Sequence, residues 1–551
     1  MSAIPLPFRS EIGTLAMVNE AVLSRRVTNR VWRASLIGIG IWSATLAALI
    51  SIYVQPAPRI HDEFSYLLAA DTLLHGRLAN PTPPAWEALQ SFHTVMRPSY
   101  ASKYPVGAGL LVAIGWMLFG TPLASSWLAA ALLAVCMTWM LAGTLPRRWA
   151  ILGGVMISLC PFIQLTWAQS LLHGFAPASG SALLMGGILR LRRRVEFSKA
   201  LICGCGIGLL ATSRPFEGLC CSVISASLLW FAWNRFGLLE RARMAMLVTG
   251  YAAAPVLAAL VLIGAHNHAV TGNWLHMPYQ LHEAQYSVAP IFVFESPKLE
   301  NATARTDRPA VFHQYHAVDT LNWDRARVGW QGWLRGVNEA IRELLKLVFP
   351  FFGVLAVSGL RWTRFRLSRG LLLAVAAQVA ASASVCWVYA HYLAPILPWL
   401  LLISMLALRT SLRKRSSAQA QVVRLTIFAI LLVQVASLLV FAHVAKSNEL
   451  ISWSRHRQQI VERLTEVGGK HLILVHYAAT HNVHQEWVYN LAEPNESNIV
   501  WARFEDGRWL DALLKEYPHR SVWEIEADDP GPVLKRCSPE SHDDSSDTSG
   551  H

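Results

Sequence analysis

Long apolar runs separated by short polar segments dominate this chain between residues 33 and 445. Several runs reach about 18 residues or more, which is enough for an α-helix to cross a bilayer. The pattern therefore predicts an all-α polytopic membrane protein with about 11 transmembrane helices. The predicted spans are 33–54, 122–145, 149–169, 174–190, 199–213, 219–234, 245–265, 345–360, 370–390, 392–409 and 425–445.

Arginine clusters between these spans indicate which ends face the cytoplasm. They precede the first span and follow the second, fourth, sixth, eighth and tenth. Because cytoplasmic loops carry an excess of Lys and Arg, alternation places residues 1–32 in the cytoplasm and the C-terminal domain outside. A full crossing by the apolar segment 104–120 would put every later cluster outside. We therefore expect that short, glycine-rich segment to lie along the outer face or to enter and return.

Three regions are predicted to lie on the outer side of the transmembrane domain 33–445. Loop one is residues 55–121, and loop two is residues 267–344. The tail, residues 446–537, is predicted to be a small α/β domain, and the polar, acidic residues 538–551 are predicted to be disordered. The predicted tail elements are helices at 448–467 and 507–516 and strands at 471–477 and 521–527.

Composition agrees with this architecture. Hydrophobic residues make up 53% of the chain and charged residues only 15%, well below the roughly 25% charged residues of soluble proteins. The net charge of +13 comes largely from the arginine clusters. We therefore interpret it as a consequence of membrane topology and not as a surface that binds nucleic acid. Seven of the eight cysteines lie in apolar segments, where a thiol behaves as a small hydrophobe.

The most informative polar stretch is "HDEFSYLLAADTLLHGRLANP", which follows the first span. Asp62 and Glu63 suit the start of a helix over 63–75, with Asp62 as its N-cap and Gly76 as its stop. The same two carboxylates also stand at the predicted membrane surface, where acid–base chemistry is a second, open interpretation.

Loop one continues with "SFHTVMRPSYASKYP", which places His93, Arg97, Lys103 and Tyr104 on the same predicted surface. Two cations there suit an anionic lipid head group, although solvated roles for Arg97 and Lys103 stay open. Arg214 interrupts an apolar stretch, and we weigh an ion pair with Glu217 at the membrane boundary against contact with a donor phosphate.

Loop two is rich in histidine, but its spacings match no compact metal site, so no metal is predicted. Its aromatic and amide side chains, and those of "HNVHQEWVYN" in the tail, suit a sugar or acceptor platform. Simple packing of polar residues explains them as well.

Three motifs resemble the GT-C glycosyltransferases of the protein O-mannosyltransferase and aminoarabinose transferase type. They are "DEFSYLLAADTLLHGRLANP", "SKYPVGAGLLVAIGWMLFG" and "HYLAPILP". The resemblance implies an inverting, metal-independent transferase that needs no cofactor. Such an enzyme moves a sugar from a polyprenyl-phosphate donor to an acceptor hydroxyl at the outer face of a bacterial inner membrane.

The resemblance also implies residue roles. Asp62 would be the general base, and Glu63 would orient a cation or the acceptor. Lys103 and Arg97 would stabilise the phosphate, with His93 and Tyr104 beside them. The remaining candidates are Arg214, His173 in the turn "TWAQSLLHGFAPASG", and His391 and Tyr392 at the start of "HYLAPILP".

The chain departs from the family pattern at two positions. The 169–173 turn carries Gln169 and His173 but no carboxylate, and His391 stands where Arg is usual. The acceptor class, protein, lipid or glycan, stays open. A membrane transporter or lipid flippase is the alternative from another class, but transporters concentrate charge at the midplane of their spans. A membrane protein that binds or senses without catalysis is a third possibility.

Overall fold

The computed structural model describes residues 8–171, 174–298, 309–326, 328–358, 366–413, 417–447, 452–505 and 507–537. Most of this chain is helical. The helices up to residue 232 are α1 (Phe8–Val54), α2 (His61–Leu74), α3 (Trp86–Leu89), α4 (Val106–Phe119), α5 (Ala124–Leu141), α6 (Arg147–Ser158), α7 (Phe175–Leu191), α8 (Phe197–Ser213) and α9 (Pro215–Ala232).

The later helices include the second loop and the tail. They are α10 (Leu238–Thr271), α11 (Pro278–Tyr286), α12 (Ala310–Ala326), α13 (Gly329–Ser358), α14 (Arg366–Ser382), α15 (Leu397–Arg413), α16 (Ser417–Ser447), α17 (Ser452–Val467) and α18 (Leu510–Glu516).

Five described helices are long and apolar enough to cross a membrane, judged by length and composition. Their outer faces carry exposed apolar side chains such as Ile52, Met246 and Leu439, as expected of a protein whose solvent there is lipid. The predicted helical membrane architecture is confirmed at this level. The count of 11 crossings and their orientation stay predictions. The five segments are Thr28–Val54, Ala124–Leu141, Pro215–Ala232, Leu238–Thr271 and Ala420–Ser447.

The predicted continuous span 149–169 is wrong. Helix α6 ends at Ser158, and a separate π-helix follows at Ile163–Trp167. Pro161 explains the break, because proline lacks a backbone N–H and keeps the preceding residue out of helical geometry. The Gln164 amide donates a hydrogen bond of 2.7 Å to the Ser158 carbonyl, which satisfies one group freed by the break. The broken segment contributes Thr166 and Trp167 to the cavity described below.

Helix α2 begins earlier than predicted. It starts at His61, and the residue at its N-cap position is Ile60, so Asp62 lies inside the first turn and does not cap the helix. Acidic side chains in that turn still interact favourably with the helix dipole. Gly76 does end the helix as predicted, with a φ of 70° that favours glycine.

Helix α4 is the segment expected not to cross fully. Its 14 residues span about 21 Å at 1.5 Å per residue, less than the roughly 30 Å hydrocarbon core. It packs directly on α2, where a side-chain carbon on Gly109 would lie only 2.5 Å from the Ala69 Cβ. This close approach fixes α2 against the helical bundle.

The tail forms the predicted α/β unit, with two strands more than expected, β4 (Ile499–Arg503) and β6 (Lys535–Arg536). Strands β3 (His471–His476) and β5 (Ser521–Glu526) match the predicted strands, and β4 pairs in parallel with β3. The sheet order is β4-β3-β5-β6. A short antiparallel pair, β1 (Thr94–Val95) and β2 (Ala101–Ser102), lies in loop one.

The tail packs tightly on loop one. The Phe64 ring of α2 stacks on Tyr489 with centroids 4.1 Å apart and planes 3° apart. The Tyr100 hydroxyl donates to the Asn490 carbonyl at 2.8 Å, and the Asp71 carboxylate accepts from the Ala492 N–H at 2.8 Å. Helix α2 is thus held from one side by α4 and from the other by the tail.

Candidate active site

A cavity of about 830 Å³ opens beside the first turn of α2. Residues from loop one, the 162–167 break, the α8–α9 junction, loop two, the 385–392 segment and the tail line it. Seven of the residues predicted from sequence lie on its wall: Asp62, His93, Lys103, Tyr104, Arg214, His391 and Tyr392. The fold therefore brings together polar side chains that are more than 300 residues apart in sequence.

Asp62 and His93 form the central pair of the site. The Asp62 Oδ1 atom lies 2.8 Å from His93 Nδ1, and His93 Nε2 lies 3.2 Å from the Tyr315 hydroxyl. Because an ionised carboxylate can only accept a hydrogen bond, Nδ1 carries the proton and donates a hydrogen bond to Asp62. Nε2 is then the acceptor and receives the Tyr315 O–H. The Tyr104 hydroxyl lies 2.9 Å from the same Nδ1 atom.

Opposing effects act on the pKa of the Asp62 carboxyl. Burial alone raises the pKa of the carboxyl, but the hydrogen bond from His93, together with the charge of Lys103, outweighs it and holds the pKa well below its ordinary value. Burial and the nearby Lys103 lower the pKa of His93, so its ring is neutral. Asp62 is thus an ionised proton acceptor at neutral pH.

The His93 backbone is in a conformation that side-chain-bearing residues rarely adopt. Its φ is 62°, in the left-handed region. Two contacts fix its carbonyl, which accepts the Ser65 hydroxyl at 2.7 Å and the Lys103 N–H at 3.2 Å. Such conformations cost free energy and persist where the surroundings hold them in place. Here the two contacts to the carbonyl hold the His93 backbone so that its ring lies next to Asp62.

Lys103 is a buried cation in the same cavity. Its Nζ lies 3.6 Å from Glu283 Oε1 and 4.9 Å from the centroid of the Tyr279 ring. Burial raises the pKa of Glu283, but the Lys103 charge together with smaller contributions from His282 and other neighbours outweighs it and lowers the pKa to about 2. The second Glu283 oxygen has no partner among the described residues.

Arg214 is a second cation, held at the junction between α8 and α9. Its guanidinium lies over the Tyr392 ring at 4.4 Å, a cation–π contact. Its side chain makes no hydrogen bond or salt bridge to any residue within the described part of the chain, so its N–H donors remain available. His391 packs edge-on against Tyr392 at 4.6 Å. Burial and Arg214 lower the pKa of His391 to about 3, which makes this ring neutral.

Two of the predicted residues that the structure describes, Glu63 and Arg97, do not line the cavity. Glu63 is buried and accepts two backbone N–H groups, from Arg59 and Leu171, each at 2.9 Å. Arg97 lies over the Trp86 ring at 4.4 Å. His173 lies outside the described residues.

Sequence reasoning missed several side chains of the cavity wall. His61, His282, Tyr315 and Asp319 all line it. Burial raises the pKa of Asp319 to about 6. The histidine-rich character of loop two was the available signal, but only the fold shows which of its residues turn inward. Among the described residues, no group of three His, Cys, Asp or Glu side chains is placed to hold a metal ion.

Comparison with known proteins gives distant structural likeness only. No family model and no curated protein matches the chain. The archaeal oligosaccharyltransferase AglB from Archaeoglobus fulgidus, solved with an inhibitory peptide and a dolichol-phosphate, is 12% identical, with a TM-score of 0.48 over 90% of this chain and 70% of that one. ArnT from Cupriavidus metallidurans, bound to undecaprenyl phosphate, is 13% identical, with a TM-score of 0.45 over 88% of this chain and 92% of that one.

A further Archaeoglobus fulgidus oligosaccharyltransferase structure, with Zn and sulfate, is 15% identical with a TM-score of 0.46 over 80% of this chain. This chain spans 60% of the length of that protein. At such identities and TM-scores, the likeness assigns neither a substrate nor a residue role to this chain.

Proposed function

We propose that this chain is a membrane glycosyltransferase of the GT-C type. It transfers a sugar from a polyprenyl-phosphate donor to an acceptor hydroxyl, with inversion at the anomeric carbon. The observation that carries the proposal is that one cavity holds an ionised, hydrogen-bonded carboxylate together with two cations, next to helices apolar enough to span a membrane. The three sequence motifs support the same reaction class.

Asp62 is the general base of the proposed reaction. Its carboxylate takes the proton of the acceptor hydroxyl while that oxygen attacks the anomeric carbon from the face opposite the phosphate. The bond between the anomeric carbon and the phosphate oxygen breaks, and the polyprenyl phosphate leaves with the electron pair. His93 holds the carboxylate in place through its Nδ1–H. The reaction is balanced without a further reactant.

Arg214 and Lys103 are the groups that stabilise the departing phosphate. A buried or partly buried cation aimed at developing negative charge is the most effective electrostatic aid to such a step. Arg214 suits this role best, because its N–H donors are not used by described side chains while Lys103 is paired with Glu283. Arg214 thereby offsets the change from Arg to His at position 391, since the His391 ring is neutral.

Glu63 and Arg97 receive other roles in this proposal. Glu63 ties Arg59 to the turn at Leu171 and supports the position of Asp62 from behind. Arg97 packs on Trp86 in loop one and takes no part in phosphate binding.

The test combines a deletion strain with complementation. A strain that lacks the gene should accumulate one lipid-linked sugar, and wild-type protein should remove it. Asp62→Asn should lower the transfer rate at least about 100-fold, because removing a general base typically costs 10²–10⁴-fold. The control is Asp511→Asn, an exposed carboxylate on α18 outside the cavity. Full activity in Asp62→Asn at normal membrane abundance, or no accumulating lipid, overturns the proposal.

A further inference from the structure

One end of the cavity is a compartment walled by aromatic and imidazole rings around His61. The His61 ring lies 4.7 Å from Phe92 and 5.9 Å from both Tyr315 and His484, measured between centroids. Phe92 in turn lies 4.6 Å from Phe312. All five rings line the cavity. His484 is exposed at the rim, and the others lie deeper, so the compartment is open to solvent from the tail side.

His61, which lines the cavity, carries an unsatisfied polar atom. Its side chain belongs to a residue only 5% exposed, and its Nε2 atom has no hydrogen-bond partner among the described residues. Its other nitrogen, Nδ1, lies 2.6 Å from the Tyr489 hydroxyl of the tail. Buried polar groups are nearly always paired in folded proteins, so a lone one on a cavity wall indicates a ligand.

The protonation of His61 is fixed by its surroundings. Burial, with the neighbouring His93, lowers its pKa well below the ordinary value, so the ring is neutral. The described residues offer the Tyr489 O–H only one acceptor, which is Nδ1. Tyr489 therefore donates to Nδ1, and the ring proton is on Nε2, for which the described residues provide no acceptor.

We propose that this compartment is the acceptor subsite and that it takes a neutral carbohydrate, with His61 Nε2–H donating to a sugar hydroxyl oxygen. This inference rests on the proposed glycosyl transfer, because Asp62, the base that needs an acceptor hydroxyl, is the next residue in the same helical turn. Flat rings pack well on the C–H faces of a sugar, while a few placed polar groups fix its orientation.

The wall chemistry favours a carbohydrate over an acidic or peptide acceptor. The rings of the compartment are neutral, and the pKa values of its two histidines, His61 and the partly buried His484, are both lowered by desolvation. An extended peptide is usually bound along a sheet edge or an open groove. Among the described residues, no strand of the tail sheet or of the pair β1–β2 lines the cavity. Only the residues that flank this pair do so, His93 just before β1 and Lys103 just after β2.

The experiment measures binding to full-length protein in lipid nanodiscs. The trisaccharides maltotriose, mannotriose and chitotriose, a serine- and threonine-containing octapeptide, and undecaprenyl phosphate are titrated separately. The variants are His61→Ala, His61→Gln, whose amide keeps an N–H donor, and the control His456→Ala on α17, outside the cavity. Thermal unfolding of each variant checks that it is folded.

At least one trisaccharide should bind the wild type, and His61→Ala should weaken that binding at least about tenfold. His61→Gln should recover part of the loss, and His456→Ala should change nothing. Undecaprenyl phosphate should bind all variants equally. The inference is overturned if no trisaccharide binds, if His61→Ala binds one as the wild type does, or if only the peptide depends on His61. Failure of undecaprenyl phosphate to bind the wild type instead counts against the proposed function.

Discussion

Burial and hydrogen bonding act on the Asp62 carboxyl in opposite directions, and the contact with His93 prevails. A lone buried carboxylate would bind a proton readily and be a poor base at neutral pH. The neutral His93 ring avoids this by donating a hydrogen bond, which stabilises the ionised form without adding a full positive charge. The proposed base is therefore ready at physiological pH.

The pH dependence of activity tests this pair. His93→Ala removes the hydrogen bond but leaves the burial of Asp62, so the pKa of Asp62 should rise. Wild-type activity should be retained down to acidic pH, because the pKa of Asp62 is depressed, and should fall only below the ordinary Asp value of about 3.8–3.9. In His93→Ala, the acid limb of kcat/KM should move upward by about one pH unit or more.

The matched control for this profile is His276→Ala, a loop-two histidine that does not line the cavity. Its acid limb should coincide with that of the wild type. An unchanged acid limb in His93→Ala would show that His93 does not set the charge of Asp62.

Individual site residues were predictable only where a local motif marked them. Asp62 and Lys103 stand in recognisable stretches, and the structure brings both to the cavity. His61 and Tyr315 lie 254 positions apart in the chain and carry no such mark, so their contact at 5.9 Å depends on the fold. Glu63 was marked by the same motif as Asp62, but helix geometry turns adjacent side chains by about 100°, and its carboxylate points to backbone N–H groups.

At the level of elements, α2 is the structural link between the bundle and the site. It packs on α4 through Gly109 and carries His61 and Asp62 at its first turn. Any displacement of α2 therefore moves the proposed base relative to the cations on other elements.

A single methyl group at this contact should be costly. In Gly109→Ala, the new carbon would lie 2.5 Å from the Ala69 Cβ, so the helices must separate. We expect a loss of about 1–3 kcal/mol in stability, as for overpacked cores, and a fall in transfer rate. The measurements are thermal unfolding in detergent and activity in membranes.

Gly38→Ala is the comparison, since a carbon there meets nothing within 4 Å. Alanine should keep or slightly raise stability at this helical position. Equal behaviour of the two variants would contradict the close packing of α2 on α4.

Helices and strands were predictable to the extent that hydrophobic periodicity alone determines them. The apolar runs located α7, α8 and α9 closely, because a membrane helix must satisfy its backbone internally. The prediction of a continuous span at 149–169 was wrong because Pro161 interrupts the helix. Strand β4 was missed because "IVWAR" is short and flanked by polar residues. The first gap arises from the backbone chemistry of a single proline and the second from pairing with β3, and hydrophobic periodicity records neither.

At the scale of the whole molecule, the arginine clusters and the exposed apolar helices together define a predicted orientation. Loop one and the tail contact each other directly, so they must lie on the same side of the membrane. The proposed site is built between them and loop two.

Cysteine labelling of intact cells tests that orientation. In a background without native cysteines, Pro84→Cys in loop one and Lys535→Cys in the tail should react with a membrane-impermeant maleimide. Arg148→Cys should react only after the cells are opened, because the positive-inside rule places that cluster in the cytoplasm. All three positions are exposed to solvent. Labelling of Arg148→Cys in intact cells would refute the predicted orientation.

The docking of the tail on α2 has a consequence for the order of biosynthesis. Tyr489 and His484 are translated after every helix of the bundle, yet they complete the surroundings of His61 near the start of the chain. A nascent chain that has inserted all its helices thus still lacks the closed ring compartment. Docking of the tail is therefore a late step in maturation, and we expect a message truncated before residue 484 to yield a membrane-inserted but unfinished protein.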